Sequence, residues 1–436
     1  MRQQVAIVGG GMLGMTLAYR LAGAGAEVTL FEAANELGGL VGSCRIGHVS
    51  WDRYYHVVLP SDSRLQALLG ELGLSGQLVW KQTRTGLLID GKLYSVSNVR
   101  EFVSLPVLSL LDKLRLGANI LYASRTRNWQ RLERLPAVEW LRTWCGERTC
   151  AHFWVPLLRA KLGEEYRAAS AAFIWATMAR LYSARRTGAK REELGYVHGG
   201  YATVVEAMVR ALHERGVKVK YGHRLHRVEL EAAGDCLLRF DNGATHRTAK
   251  VVLTSPNPAI VQTCRWLPAP EAKRLGGATY MGIVCLALLL RKPLAGFYVT
   301  NIADGGFPFT GIIEMSSLVD PRTFGGHSLV YLPKYVRADD PLLLAPAEEI
   351  LHSFVEALCR VYPALSLEDV VGWSVNREQH VFALPTLRYS ESAPPMCTVA
   401  PGVFIVNSAQ IVNTTLNVNE AVRQAEEAAQ LLMDEA

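Results

Sequence analysis

Short, wholly apolar runs alternate with helical stripes along this chain, and their order outlines an architecture. Val5-Ala6-Ile7-Val8 is apolar throughout, as a strand buried on both faces must be. Leu13, Leu17, Ala18, Leu21 and Ala22 then recur at helical spacing, Gly23 and Gly25 end the helix, and residues 27–31 read as a second strand. Residues 63–72 form an amphipathic helix with Leu65, Leu68, Leu69 and Leu72 on one side and Gly73 as its stop. Asp90-Gly91 marks a hairpin turn between two short apolar runs. Residues 105–122 carry Val107, Leu111, Leu114, Ala118 and Leu121 on one helical face, which reads as a face turned to the core.

The strand–helix alternation returns further on. Gly199-Gly200 leads a helix with Val204, Val205, Met208, Ala211 and Leu212 on one side, and residues 217–221 make a strand. Asp241-Asn242-Gly243 signals another hairpin, and Val251-Val252-Leu253 another buried strand. Residues 283–290, 296–302 and 328–332 suggest a second sheet, with a helix over 347–361. Near the end, residues 402–406 are a strand, and Val418, Ala421, Val422, Ala425, Ala429 and Leu432 form the inner stripe of a last helix. Asn417 and Glu420 stand at capping-box spacing before it. This is an α/β chain.

The first alternation carries chemistry. Gly9, Gly11 and Gly14 have G-x-G-x-x-G spacing directly after the first strand. The first glycine permits a tight turn, the second lets a pyrophosphate approach the backbone, and the third lets helix and strand pack closely. The helix start then presents free N–H groups to a phosphate. Glu32 closes the second strand about 20 residues beyond the first glycine, where an acid binds a ribose 2′-hydroxyl. No basic residue stands beside it, which favours a free 2′-hydroxyl over a 2′-phosphate. Together these features point to a bound dinucleotide.

Gly38-Gly39, just past the second strand, resembles the flavoprotein family that contains amine oxidases, protoporphyrinogen oxidases and phytoene-type desaturases. The resemblance implies a Rossmann-like FAD-binding domain interleaved with an α+β substrate domain. It implies FAD-binding segments at 1–84, 196–265 and 397–436, a helical substrate segment at 85–195 and a sheet segment at 266–396. Carried onto this sequence, it places FAD against Gly9, Gly11, Met12, Leu13, Gly14, Glu32, Ala33, Gly38, Gly39 and Leu40 at the start of the chain. Later segments add Leu225, Ser255, Ser408, Asn417, Val418 and Asn419. The strand over 219–228 would touch the adenosine side. Where the family carries Gly-Asp to hold the ribityl chain, this sequence has Asn407-Ser408. His56 and Lys334 are the candidates for a catalytic side chain near the flavin, and Asp52 lies in the same stretch as His56.

Composition narrows the partners. Half of the 436 residues are hydrophobic and 20% are charged, enough apolar surface for a large core. A net charge of +6 is mild; it suits an anionic substrate or membrane surface, and no DNA or RNA motif accompanies it. Six basic residues and one acid between positions 113 and 134 mark a stretch that could meet a membrane peripherally. The eight cysteines are scattered without metal spacing, as in a reducing compartment, and the apolar runs at 168–179 and 275–290 fall short of a spanning helix. A cytoplasmic protein is expected. There is no second glycine fingerprint for NAD(P)H, so electrons would leave for oxygen, a quinone or a protein. The expected function is removal of hydride from a sizeable, largely apolar small molecule. A redox-neutral sugar-nucleotide mutase, which shares this cofactor architecture, and a flavin-binding protein with a partner-binding role are the alternatives.

Overall fold

The N-terminal apolar run becomes Gln4–Val8, the middle of a five-stranded parallel sheet. The computed structural model describes residues 3–183, 192–231 and 234–434. The sheet order is Val403–Ile405, Lys250–Leu253, Gln4–Val8, Glu27–Phe31, Lys218–Lys220. Every pairing is parallel, with Ile7 opposite Leu30 on one side and Val252 on the other. The chain therefore enters this sheet three times, from residues far apart in sequence.

Each face of the sheet is covered by what its side chains demand. Helices Met12–Gly23, Tyr201–Glu214 and Val418–Asp434 bury Leu17, Leu21, Met208, Val422 and Ala425 against one face. Full burial of an aliphatic side chain contributes roughly 1.5–3 kcal/mol, so this shared core fixes how the first helix sits on its strand. The other face is covered by a three-stranded meander, Leu225–Leu230, Cys236–Phe240 and Thr245–Thr248, through Phe31, Leu238 and Val251. The single strand expected over 219–228 is thus two. The chain leaves the parallel sheet after Lys220 and turns at Gly222, whose φ of 66° suits glycine.

A second, mixed sheet holds Val370–Ala383, Tyr280–Leu290, Ser328–Arg337, Gly311–Glu314, Val299–Ile302, Thr85–Ile89 and Lys92–Ser95, in that order. Tyr280–Leu290 is buried along its whole length because both faces are covered. Trp51, Phe324 and Tyr331 pack on one side, and Phe354 and Leu358 of helix Ala347–Val361 on the other. The expected hairpin at Asp90-Gly91 forms the sheet's edge, with φ of 52° and 68° at its two turn residues. Its inner strand pairs in parallel with Val299–Ile302, joining residues some 200 apart. A further ribbon, Leu78–Gln82 with Glu193–Val197, ties the two units together.

The helical unit corrects one expectation. Leu110–Arg125 begins at a capping box made by Ser109 and Asp112. Its packed face carries Asp112, Leu116, Asn119 and Ala123, whereas Leu111, Leu114 and Leu121 are 56%, 64% and 42% exposed. The stripe read as core faces solvent. Spacing shows that a helix is two-sided but not which side packs; here the packed Asp112 is satisfied locally by Ser109.

Asp52 joins the two units. It ends strand Val49–Asp52, and its buried carboxylate accepts the Tyr201 N–H at 2.8 Å, at the start of helix Tyr201–Glu214. Tyr331 of the second sheet donates to its main-chain carbonyl at 2.6 Å. Burial pushes the Asp52 carboxyl up to about 7, the Tyr201 N–H offsetting only part of that rise. The folded chain therefore holds a proton that the unfolded chain releases above about pH 4. Stability should fall as pH rises from about 4 to about 7 and then level off. Asp52→Asn keeps the acceptor and removes the ionisation, so urea unfolding across this window should give a flatter profile than wild type; parallel profiles would contradict the assignment.

Candidate functional site

The glycine turn is shaped for close approach. Gly9 has φ of 116°, and a Cβ placed on Gly14 would lie 1.9 Å from the Gly9 carbonyl oxygen. A Cβ on Gly11 would meet nothing within 4 Å, so the backbone there faces open space. Gly11 is also the N-cap of helix Met12–Gly23 and offers no side-chain acceptor, which leaves the first-turn N–H groups of Met12, Leu13 and Gly14 free for an anion. Gly38 donates its N–H to the Gly10 carbonyl at 2.9 Å, and a Cβ on Gly39 would stand 3.2 Å from the Gly11 Cα. The glycine pair therefore lies against the turn.

Glu32 is brought to the same place. Its two carboxylate oxygens accept the Gly10 and Ala34 N–H groups at 2.7 and 2.8 Å, which fixes the acid beside the turn and brackets Ala33. Leu40 follows in the short turn Gly39–Val41, half-buried.

The later segments reach this end of the sheet by different means. Asn407 is buried and donates to the Ser255 carbonyl at 2.8 Å and to the Asn257 side chain at 2.9 Å, while accepting from Ala409 N–H. Ser408 sits beside it, 3.5 Å from the Val381 carbonyl. Asn417 accepts the Glu420 N–H at 3.1 Å and so caps the last helix, which opens with buried Val418. The Asn419 side-chain oxygen instead accepts the N–H groups of Arg64 and Leu65, capping helix Ser63–Glu71 from outside. Leu225 opens the meander strand and packs against the core beneath Phe31.

The two catalytic candidates part company. His56 is enclosed, its Nδ1 has no partner, and its ring stands 5.1 Å from that of Tyr201. Burial lowers its pKa to about 4, so it is a neutral imidazole near pH 7. Lys334 shares a strand face with Val330, Leu332 and Val336, which pack towards helix Ala347–Val361, and so points away from Tyr331 and Tyr335 on the other face. The structure does not bring it to His56.

What lies near His56 was not singled out from the sequence. Tyr55 and Tyr335 share a hydrogen bond at 2.9 Å between hydroxyls 280 residues apart. Lys161 Nζ lies 5.7 Å from the Tyr335 ring centre, and Phe382 meets that ring edge-on at 5.8 Å. Tyr55, His56, Lys161 and Tyr335 are each half-buried. Burial raises the pKa of both tyrosines, so both stay protonated, and only one of their protons is used between them. No local pattern marks these residues; only the pairing of distant strands assembles them. A separate groove of about 480 Å³ runs along the parallel sheet, lined by Phe31, Phe240, His223, His246, Lys218 and Lys220 among others, and none of the turn's glycines borders it.

Comparison with known proteins agrees with this geometry. The family model for flavin-containing amine oxidoreductases matches residues 13–433. A coproporphyrinogen III oxidase of Mycobacterium tuberculosis is 26% identical over 276 residues, a span of 59% of this chain and 59% of that protein. Among solved structures, an Exiguobacterium protein ascribed as a protoporphyrinogen oxidase superposes with a TM-score of 0.78 at 18% identity, covering 100% of both chains. Reduced UDP-galactopyranose mutase superposes with a TM-score of 0.76 at 14% identity, over 100% of this chain and 95% of that one. The chain belongs to the flavin-containing amine oxidoreductase family. The dinucleotide turn makes its flavin FAD.

The open space at Gly11 and the blocked space at Gly14 separate cofactor binding from folding. Gly11→Val should fold with a melting temperature close to that of cofactor-free wild type but should lose FAD, read as absorbance released on heating. Gly14→Val should instead lower the melting temperature even without cofactor, because its side chain meets the Gly9 carbonyl. Full retention of FAD by Gly11→Val would remove the turn from the cofactor site.

Proposed function

We propose that this chain is an FAD-dependent oxidoreductase of the oxidase or desaturase type, taking hydride from a sizeable, largely apolar small molecule. The observation that carries this reading is the glycine turn with Glu32 fixed beside it, which suits a dinucleotide, together with the aromatic cluster of Tyr55, Tyr335 and Phe382. FAD, when bound, supplies a two-electron acceptor. The residues of the chain supply place and polarity: the glycine turn holds the pyrophosphate, Glu32 the ribose, and the first turn of Val418–Asp434 offers its positive end to negative charge. His56 and the Tyr55–Tyr335 pair can donate and accept hydrogen bonds without carrying charge near pH 7.

Mutase chemistry would need cations clamping a diphosphate. Arg159 and Arg167 both reach Glu164 and lie largely in solvent, Arg322 pairs with its neighbour Asp320, and Arg377 donates to the Ala345 carbonyl. They do not converge, which favours the oxidoreductase. The names of the related proteins make coproporphyrinogen III and protoporphyrinogen IX the first compounds to try. A true substrate should bleach the oxidised flavin in the absence of air, and an added acceptor should restore it. Turnover only after prior reduction, with isomerised product and no acceptor consumed, would replace this reading with a mutase.

The exposed face of the helical unit favours a further reading, that the protein works on an anionic lipid surface. Val99, Val103, Leu110 and Leu114 are 67%, 50%, 67% and 64% exposed on consecutive helices. Arg100, Arg115, Arg125 and Arg127 flank them in solvent. Apolar contact ringed by basic residues matches an anionic bilayer, and no helix of the described residues is long and apolar enough to cross one. The protein should sediment with phosphatidylserine-containing vesicles at low salt, less so at high salt, and Leu114→Asp should weaken the binding while FAD is retained. Equal recovery in the supernatant with and without vesicles would return this face to plain solvent.

A further inference from the structure

The groove along the parallel sheet lies apart from the cofactor turn, and Glu32 does not border it either. Strand parity builds one side of it. Glu27, Thr29 and Phe31 alternate onto one face, and the parallel register sets Lys218 beside Thr29 and Lys220 beside Phe31. The meander over this face adds Phe240, Thr245, His246 and Thr248. Four rings gather there: Phe31 stacks on Phe240 at 4.6 Å, and His246 and His223 stand 5.0 and 5.7 Å from Phe31. A volume of about 480 Å³ falls within the roughly 300–1,000 Å³ of small-molecule sites.

The polar groups facing this groove are not all matched by one another. Glu27, the one acid that lines it, takes Lys218 at 2.5 Å. Lys220 makes no ion pair or side-chain hydrogen bond among the described residues, so its charge leaves the groove positive. Thr29 is 8% exposed, and its hydroxyl has no hydrogen-bond partner among the described residues. A hydroxyl so far from water is costly to leave unmatched. Neither ring nitrogen of His246 is bonded among the described residues, and burial, then the nearby charges of Lys218 and Lys220, lower its pKa. His223 donates Nδ1–H to the Tyr221 carbonyl at 2.6 Å, which leaves its Nε2. An ammonium group, a buried hydroxyl and imidazole nitrogens on one groove are donors of the kind a phosphate takes.

We propose that this groove is a second ligand site, separate from that of FAD, for a small aromatic molecule bearing a phosphate group: Lys220, His246 and the Thr29 hydroxyl receive the phosphate, and the ring lies among Phe31, Phe240 and the two imidazoles. The site is independent of which compound the flavin oxidises.

Calorimetric titration of the FAD-loaded protein near pH 7 with phenyl phosphate, phenol and inorganic phosphate tests this with the cofactor site filled. Wild type should bind phenyl phosphate at least about tenfold more tightly than either of the others. Lys220→Met should weaken phenyl phosphate about tenfold and Thr29→Val about fivefold, with FAD content unchanged. Lys92→Met removes an exposed charge from the edge of the other sheet and should change nothing. A wild type without these preferences, including one that binds none of the three compounds, would overturn the proposal. So would full affinity in Lys220→Met or Thr29→Val, or an equal loss in Lys92→Met, which would mark plain attraction to a basic surface.

Discussion

The whole arrangement depends on one close approach: backbone against backbone at Gly9, Gly11, Gly14, Gly38 and Gly39. Gly14 leaves no room for a side chain against the Gly9 carbonyl, and Gly39 nearly touches Gly11. These contacts seat the first helix directly on the end of its strand, so its unpaired N–H groups all aim at one point. Glu32 can bond Gly10 only because the second strand ends beside that turn. A single added methyl at Gly14 would move the helix, and the acid, the glycine pair and the donors would no longer converge.

Convergence at this point requires three distant segments to agree, and polar groups enforce the agreement. Asn407 binds Ser255 and Asn257 across some 150 residues. Asn419 caps a helix that begins at Ser63, and Asp52 caps one that begins at Tyr201. Asp62 takes Arg180 in a buried, two-pronged pair. Each of these groups would be costly to bury unsatisfied, so each tolerates one placement of its partner. Apolar packing alone would allow the segments to slide; these bonds fix their register. Asn407 fits this pattern, since it serves the joint between segments.

Legibility in the sequence followed the range of the interaction. The glycine turn, the acid after the second strand, the hairpins at Asp90-Gly91 and Asp241-Asn242-Gly243 and the stripe of the last helix all rest on neighbours a few residues apart, and all are present. The strand over residues 219–228 was misjudged because a turn at Gly222 can sit inside an apparently continuous run. The cluster around Tyr335 was illegible for a different reason. Tyr55, Lys161, Tyr335 and Phe382 come from a loop, a helix and two strands, and nothing local in the sequence brings them together. Strand parity decides it: Tyr335 and Lys334 are adjacent, and opposite faces give them opposite surroundings.

Two features break the rule that charge goes outside and apolar surface inside, and they break it in opposite senses. Lys161 is a half-buried cation with no ion pair among the described residues, and the Leu110–Arg125 helix turns leucines to solvent while packing Asp112 and Asn119 inward. In an isolated chain both are losses, since burying an unmatched charge costs several kcal/mol and each exposed leucine forgoes about 2 kcal/mol. Neither follows from the demands of folding, because an uncharged residue at 161 or polar residues at 111 and 114 would relieve them.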